Sequence, residues 1–129
     1  MKKEIHVVGA VIESNNKILC AQRGPDKTLA HLWEFPGGKV EIGESEKEAL
    51  EREIREELLC KIKVNKKITT TRYEYDFGFV TLTTFQCSLI EGTPVLTEHV
   101  EVKWLSREKL ETLEWAPADI PTIHILKGE

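Results

Sequence analysis

The stretch from Gly37 to Cys60, GGKVEIGESEKEALEREIREELLC, leaves the surrounding chain little freedom. Ser45 followed three residues later by Glu48 is a capping box, so a helix is expected from about Glu46. Leu50, Ile54 and Leu58 recur every fourth position and give that helix a narrow apolar stripe to bury. Beside the stripe stand Glu53, Glu56 and Glu57, spaced to lie on neighbouring faces within one turn. Glu44, just before the cap, can fold back toward the same place. Carboxylates this close repel one another. A hard divalent cation, Mg²⁺ or Mn²⁺, removes the conflict, because it prefers oxygen ligands and keeps waters and substrate phosphates in its shell. The competing reading is a solvated acidic face on which Arg52 pairs with Glu56 at i,i+4.

The rest of the chain sets the scale. Its 129 residues suffice for one domain, 1–129, and are too few for two. A net charge of −4 argues against a long basic groove, so no nucleic acid polymer is expected as partner. A small anionic substrate is compatible with that charge if metal ions screen it locally. The opening MKKEIHVVGAVI reads as a strand: its apolar run is broken by His6 and leads to no small-residue cleavage site. No segment is long and apolar enough to span a bilayer, so no membrane partner is expected. Cys20, Cys60 and Cys87 lack pair spacing and read as buried free thiols of a cytoplasmic, reducing environment. His6, His31, His99 and His124 show no ligand spacing either and are read as structural.

Along the chain, residues 4–12 and 17–22 read as a hairpin around Ser14-Asn15-Asn16. Arg23 closes the second strand, and the loop from Gly24 to His31 is long enough to be functional or a mobile lid. Arg23 can either pair with phosphate in a bidentate way or sit at the rim as a snorkelling arginine. In Trp33 to Val40, Pro36 holds Phe35 extended, while Gly37-Gly38 marks a close backbone approach or simply a turn. Residues 61–76 and 79–90 read as two antiparallel strands hinged at Phe77-Gly78. Tyr73, Tyr75, Phe77 and Phe79 cluster near one end, as cross-strand pairs or as a stacking surface for a base. A strand is expected over 102–105, and Ser106 starts a short helix to about Leu113. Pro117 suits the first turn of a final helix, whose N-terminal dipole Asp119 would favour.

Gly38, Glu44 and the run Arg52-Glu53-Ile54-Arg55-Glu56-Glu57, at these separations, resemble the Nudix box. The likeness extends over nearly the full chain, with Arg23 and the segment Pro117-Ala118-Asp119-Ile120-Pro121 matching the MutT-like and CTP pyrophosphohydrolase-like branch. One departure stands out: the family usually has Gly where this chain has Leu59, so the helix is expected to run on or to end differently.

The resemblance implies an α/β (α+β) fold, the Nudix α/β/α sandwich, with a mixed β-sheet between the Nudix-box helix and a C-terminal helix. It implies Mg²⁺ (or Mn²⁺) on Glu53, Glu56, Glu57, the Gly37 carbonyl and a carboxylate of a later loop, where Glu98 matches best and Glu101 is the rival. It further implies nucleotide contacts from Arg23, Phe35, Gly38 and Asp119, the last as an acceptor for an amino-bearing base. Glu53 is the expected general base, with Glu44 and Glu98 as candidates, and Arg52 is expected to orient the carboxylates.

The implied activity is hydrolysis of a (d)NTP to the monophosphate and pyrophosphate, sanitising cytidine-type or 8-oxo-guanine-type nucleotides. Other nucleoside diphosphate derivatives (ADP-ribose, nucleotide sugars, dinucleotide polyphosphates) and a non-catalytic nucleotide-sensing domain are the alternatives. The chain lacks a proline between Pro36 and Pro94, where ADP-ribose hydrolases tend to place one. It leaves the base, and the choice between monomer and homodimer, open.

Overall fold

A computed structural model describes residues 2–128. The central strand is β1 (Lys3–Ser14), whose residues 8–12 are buried on both faces. Asn15 and Asn16 both take positive φ (52° and 63°), the conformation a two-residue hairpin turn requires, and return the chain as β2 (Lys17–Gln22). Two short strands follow, β3 (Trp33–Glu34) beside β2 and β4 (Gly37–Lys39) beside β1. The long pair β5 (Lys61–Tyr75) and β6 (Gly78–Glu91) is antiparallel, and β6 runs parallel to β1 from Lys3↔Gly78 to Glu13↔Ser88. β7 (Glu101–Leu105) adds to β2, completing a mixed sheet of seven strands.

Alternation along β1 and β2 sends side chains to opposite faces. Ala10, Ile12 and Leu19 meet Ala49, Leu50, Ile54 and Leu58 of helix α1 (Glu46–Leu58). Val11, Ile18 and Cys20 face the other way, onto Trp33, Phe35, Leu110, Trp115 and Ile123 of helix α2 (Ile120–Leu126). The sheet thus lies between two helical layers, as the expected α/β/α sandwich requires. Trp33 and Trp115 belong to this second core, linked by Trp33 N–H to Glu114 O (2.8 Å) and Ala116 N–H to Trp33 O (2.9 Å). The three cysteines are buried free thiols, and burial pushes Cys20 and Cys87 up to about 12.

The capping box forms in full: Glu48 N–H donates to Ser45 Oγ, and Ser45 N–H donates to the Glu48 carboxylate. At its other end α1 stops where glycine would have stopped it. Leu59 takes the left-handed conformation itself (φ 54°, ψ 36°) and its N–H closes on Arg55 O. The helix therefore neither runs on nor ends differently, and the cost falls on Leu59 backbone strain, about 1–2 kcal/mol for an L-residue.

Three other expectations change. The segment after Ser106 is a 3₁₀-helix, Arg107–Thr112, and the Ser106 side chain makes no capping bond. Pro117–Asp119 is a second 3₁₀ turn, so α2 begins at Ile120. Asp119 stands at the N-cap of α2, but its side chain makes no capping bond and accepts from Phe35 N–H instead.

Candidate active site

The β1–β4 ladder is tight enough to require glycine. A Cβ at Gly37 would lie 1.9 Å from the Val8 carbonyl oxygen. One residue on, the room that Gly38 leaves is filled by the Glu53 side chain from α1. These residues form one wall of a cleft of about 380 Å³.

Arg52 organises the acidic edge of α1. Its Nε donates to Glu44 Oε2 (2.6 Å), Nη2 to Glu44 Oε1 (3.0 Å) and to Lys39 O (3.0 Å), and Nη1 to Glu53 Oε1 (2.8 Å). Glu56 also reaches Nη1, at 3.1 Å, from a position 60% exposed. The Arg52 hydrogen bonds hold the Glu44 carboxyl below its usual range, with a further bond from Glu41 N–H. Both Glu44 oxygens are thus engaged, and Glu44, Arg52 and Glu56 stand outside the lining of the cleft.

Inside the cleft the carboxylates crowd. Burial raises Glu53, and Glu56 and Glu98 add to the rise against the pull of Arg52. Glu57 is pushed up to about 9, first by burial, then by its hydrogen bond with Glu98 and the charges of Glu53, Glu34 and Glu98. Its Oε1 is buried without a hydrogen-bond partner. Glu98 arrives on the loop between β6 and β7. That loop is tied to the end of α1 by Val95 N–H to Leu58 O (2.8 Å) and by Thr97 Oγ1 to Glu57 O. It is tied to β2 by Val100 N–H to Gln22 O (3.0 Å). Glu101 lies on β7, away from the cleft.

These residues fit a hard divalent cation. The donors are all oxygens, their charges conflict without a counter-ion, and one buried carboxyl oxygen lacks a partner. Among the described residues, no three or more His, Cys, Asp or Glu side chains form a ready-made metal site.

The remaining wall is aromatic. Tyr75 and Phe77 line it, their rings stacked at 5.2 Å and within 5° of parallel, whereas Tyr73 and Phe79 do not reach it. Phe35 is buried against Trp115 at 4.7 Å. Asp119 Oδ1 accepts from Phe35 N–H (3.2 Å), and Tyr75 Oη accepts from Ala118 N–H (2.9 Å). Burial, helped by the charge of Glu34, raises Asp119 well above the ordinary aspartate range. The buried carboxyl is thus held toward its protonated form, with Oδ1 occupied by Phe35 N–H.

A NUDIX domain model matches residues 3–125. The chain belongs to the Nudix family. It is a Nudix hydrolase, and its relatives are of the MutT kind. It is 40% identical over 121 residues to the CTP pyrophosphohydrolase of Escherichia coli K12, covering 94% of this chain and 90% of that protein. The 8-oxo-dGTP diphosphatase of the same organism is 33% identical over 127 residues, covering 98% of each. Among solved structures, a MutT protein of methicillin-resistant Staphylococcus aureus 252, described as a DNA mismatch repair protein and Nudix hydrolase, is 56% identical. It covers 99% of this chain and 98% of its own, with a TM-score of 0.82.

Of the residues singled out in this Nudix sequence, Arg23, Phe35, Gly37, Gly38, Glu53, Glu57, Glu98 and Asp119 line the same cleft. Two others were missed. Glu34 bridges Arg23 Nη1 (2.9 Å) and His99 Nε2 (2.9 Å), joining the loop after β2 to the loop that carries Glu98. His99, read as structural for want of ligand spacing, is buried in the cleft wall with Nδ1 unpartnered. Neither signal exists in one dimension, because Glu34 and His99 stand 65 residues apart. Arg23 is itself occupied: Nε donates to Thr28 O (2.6 Å) and Nη2 to Thr28 Oγ1 (3.0 Å).

Proposed function

We propose that this Nudix hydrolase is a Mg²⁺-dependent nucleoside triphosphate pyrophosphohydrolase that releases a monophosphate and pyrophosphate. We infer that its substrates are modified or oxidised nucleotides of the cytidine or 8-oxo-guanine type. The observation that carries this reading is one cleft lined both by crowded acids and by a stacked aromatic wall with a buried Asp119. The names of the E. coli relatives, one acting on CTP and one on 8-oxo-dGTP, support it.

Glu53, Glu56, Glu57, Glu98 and the Gly37 carbonyl are the groups that would hold Mg²⁺ or Mn²⁺. When bound, such an ion neutralises phosphate charge and lowers the pKa of the attacking water. Glu53 is the general base: Arg52 fixes one of its oxygens and burial makes the carboxylate more basic than a surface glutamate. Glu44 serves by holding Arg52 in place and Glu98 by closing the acid cluster. Phe35 and the Tyr75–Phe77 pair receive the base, and Asp119 pairs with its polar edge through the oxygen that Phe35 N–H leaves free. Arg23 faces the nucleotide from the opposite loop, oriented by Glu34 and Thr28.

The test is a Mg²⁺-dependent hydrolysis panel with products identified. It contains CTP, dCTP, 5-methyl-dCTP, dGTP, 8-oxo-dGTP, ADP-ribose and a diadenosine polyphosphate. Monophosphate plus pyrophosphate from a (d)NTP is expected, with Glu53→Gln slower by at least about 10²-fold. Turnover of ADP-ribose or the dinucleotide alone would overturn the substrate assignment. Tight nucleotide binding with no turnover of any compound would overturn the catalytic one.

A further inference from the structure

Lys27 has no part in the reading above, yet it lines the cleft beside Glu98. Its ammonium lies 3.8 Å from Glu98 Oε1, and both side chains are about half exposed, at 44% and 49%. The approach is not an accident of two flexible tips, because the loops that carry them abut along their backbones. A Cβ at Gly24 would stand 3.6 Å from Glu98 O. Lys27 N–H turns back onto Gly24 O (3.3 Å), and the Arg23–Glu34–His99 chain joins the two loops again.

Charge accounting then gives Lys27 two successive partners. In the protein alone it is a monovalent counter-ion for Glu98. A divalent cation held by Glu98 would displace that ammonium, by Coulomb repulsion and by competition for the same oxygen. The freed cation remains at the mouth of a cleft that must now take a polyanion. Three of the five Arg23 N–H donors are already held by Thr28 and Glu34, which leaves Lys27 as the cation with the weaker existing ties. We propose that Lys27 is an exchanging counter-ion: it holds Glu98 before metal binds and the terminal phosphates of the substrate afterwards. The second half rests on the triphosphate reading above.

The two halves predict opposite effects of one substitution, which a merely structural lysine would not produce. In Lys27→Ala, Mn²⁺ binding to the protein without nucleotide, followed by electron paramagnetic resonance of the free ion, should tighten by about 2- to 5-fold. With Mn²⁺ saturating, pyrophosphate binding measured by calorimetry should weaken by about tenfold, the loss of a charge-assisted contact. Lys27→Arg should stay near wild type in both. Unchanged or weaker Mn²⁺ binding in Lys27→Ala would overturn the pairing with Glu98. Unchanged pyrophosphate affinity would overturn the phosphate role. Neither readout needs turnover, so a chain that hydrolyses no (d)NTP would fail the proposed function while this inference is still decided.

Discussion

The Glu53 carboxylate occupies the volume that a side chain at position 38 would fill: a Cβ on Gly38 would lie 2.0 Å from Glu53 Oε2. The two glycines of the β4 strand therefore fail differently. Gly38→Ala should push Glu53 aside and cost about 10²-fold in kcat, the scale of a displacement near 1 Å, while the fold survives. Gly37→Ala meets the Val8 carbonyl, cannot be relieved by a rotamer, and should cost about 3 kcal/mol or more in stability. Thermal melts beside kinetics separate the two. Equal destabilisation by both would show that Glu53 moves too readily for Gly38 to matter.

Leu59 offers a gain. Its side chain is 57% exposed, so replacement by glycine loses little burial and relieves the left-handed backbone. Leu59→Gly should stabilise by about 1 kcal/mol, with kcat within about twofold of wild type. Urea denaturation reads this directly; a loss of stability would mean the leucine side chain contributes contacts worth more than the strain.

Glu57 predicts proton release. Its carboxyl is neutral at pH 7 in the protein alone, since burial and Glu98 push it up to about 9, but must ionise to hold a cation. Mg²⁺ binding at pH 7 should therefore release about one proton. Calorimetry in two buffers of different ionisation enthalpy counts it. Glu57→Gln should bind more weakly and release none, and an equal count in that variant would assign the proton elsewhere.

Asp119 shapes the dependence of stability on pH. The folded chain keeps the Asp119 proton well above the ordinary aspartate pKa, whereas the unfolded chain loses it near pH 4. Between those values the native state binds more protons, so rising pH lowers stability. Asp119→Asn keeps an acceptor for Phe35 N–H and has no proton to lose. Its stability curve should be flatter from pH 4 to 8, and it should overtake wild type at the alkaline end. Parallel curves in chemical denaturation would show that Asp119 titrates normally.

What the sequence disclosed follows from how local each signal is. The box helix was legible because Ser45, Glu48 and the Leu50–Ile54–Leu58 stripe act within a few residues of one another, and all behave as their spacing suggests. The Asn15–Asn16 turn was legible for the same reason. Asp119 was only half legible. Its place after Pro117 is a helix-start signal, but burial, which raises its pKa, depends on the chain before α2 packing against Phe35. Glu34 and His99 carried no signal, because their pairing exists only once the loop after β6 has folded back onto β2. Leu59 shows the reverse error: propensity argued against a left-handed residue, yet the helix closes there through Leu59 N–H to Arg55 O.

The way Glu98 is delivered has a consequence for engineering. Val95, Thr97 and Val100 pin its loop to α1 and β2 on both sides of the carboxylate, while Gly92–Pro94 lies outside those anchors. Added length at Gly92–Pro94 costs only the slowly growing entropy of a longer loop and leaves Glu98 in register. A single residue inserted between Val95 and Val100 would move it. Tags, reporters or affinity peptides belong at the first site and not the second.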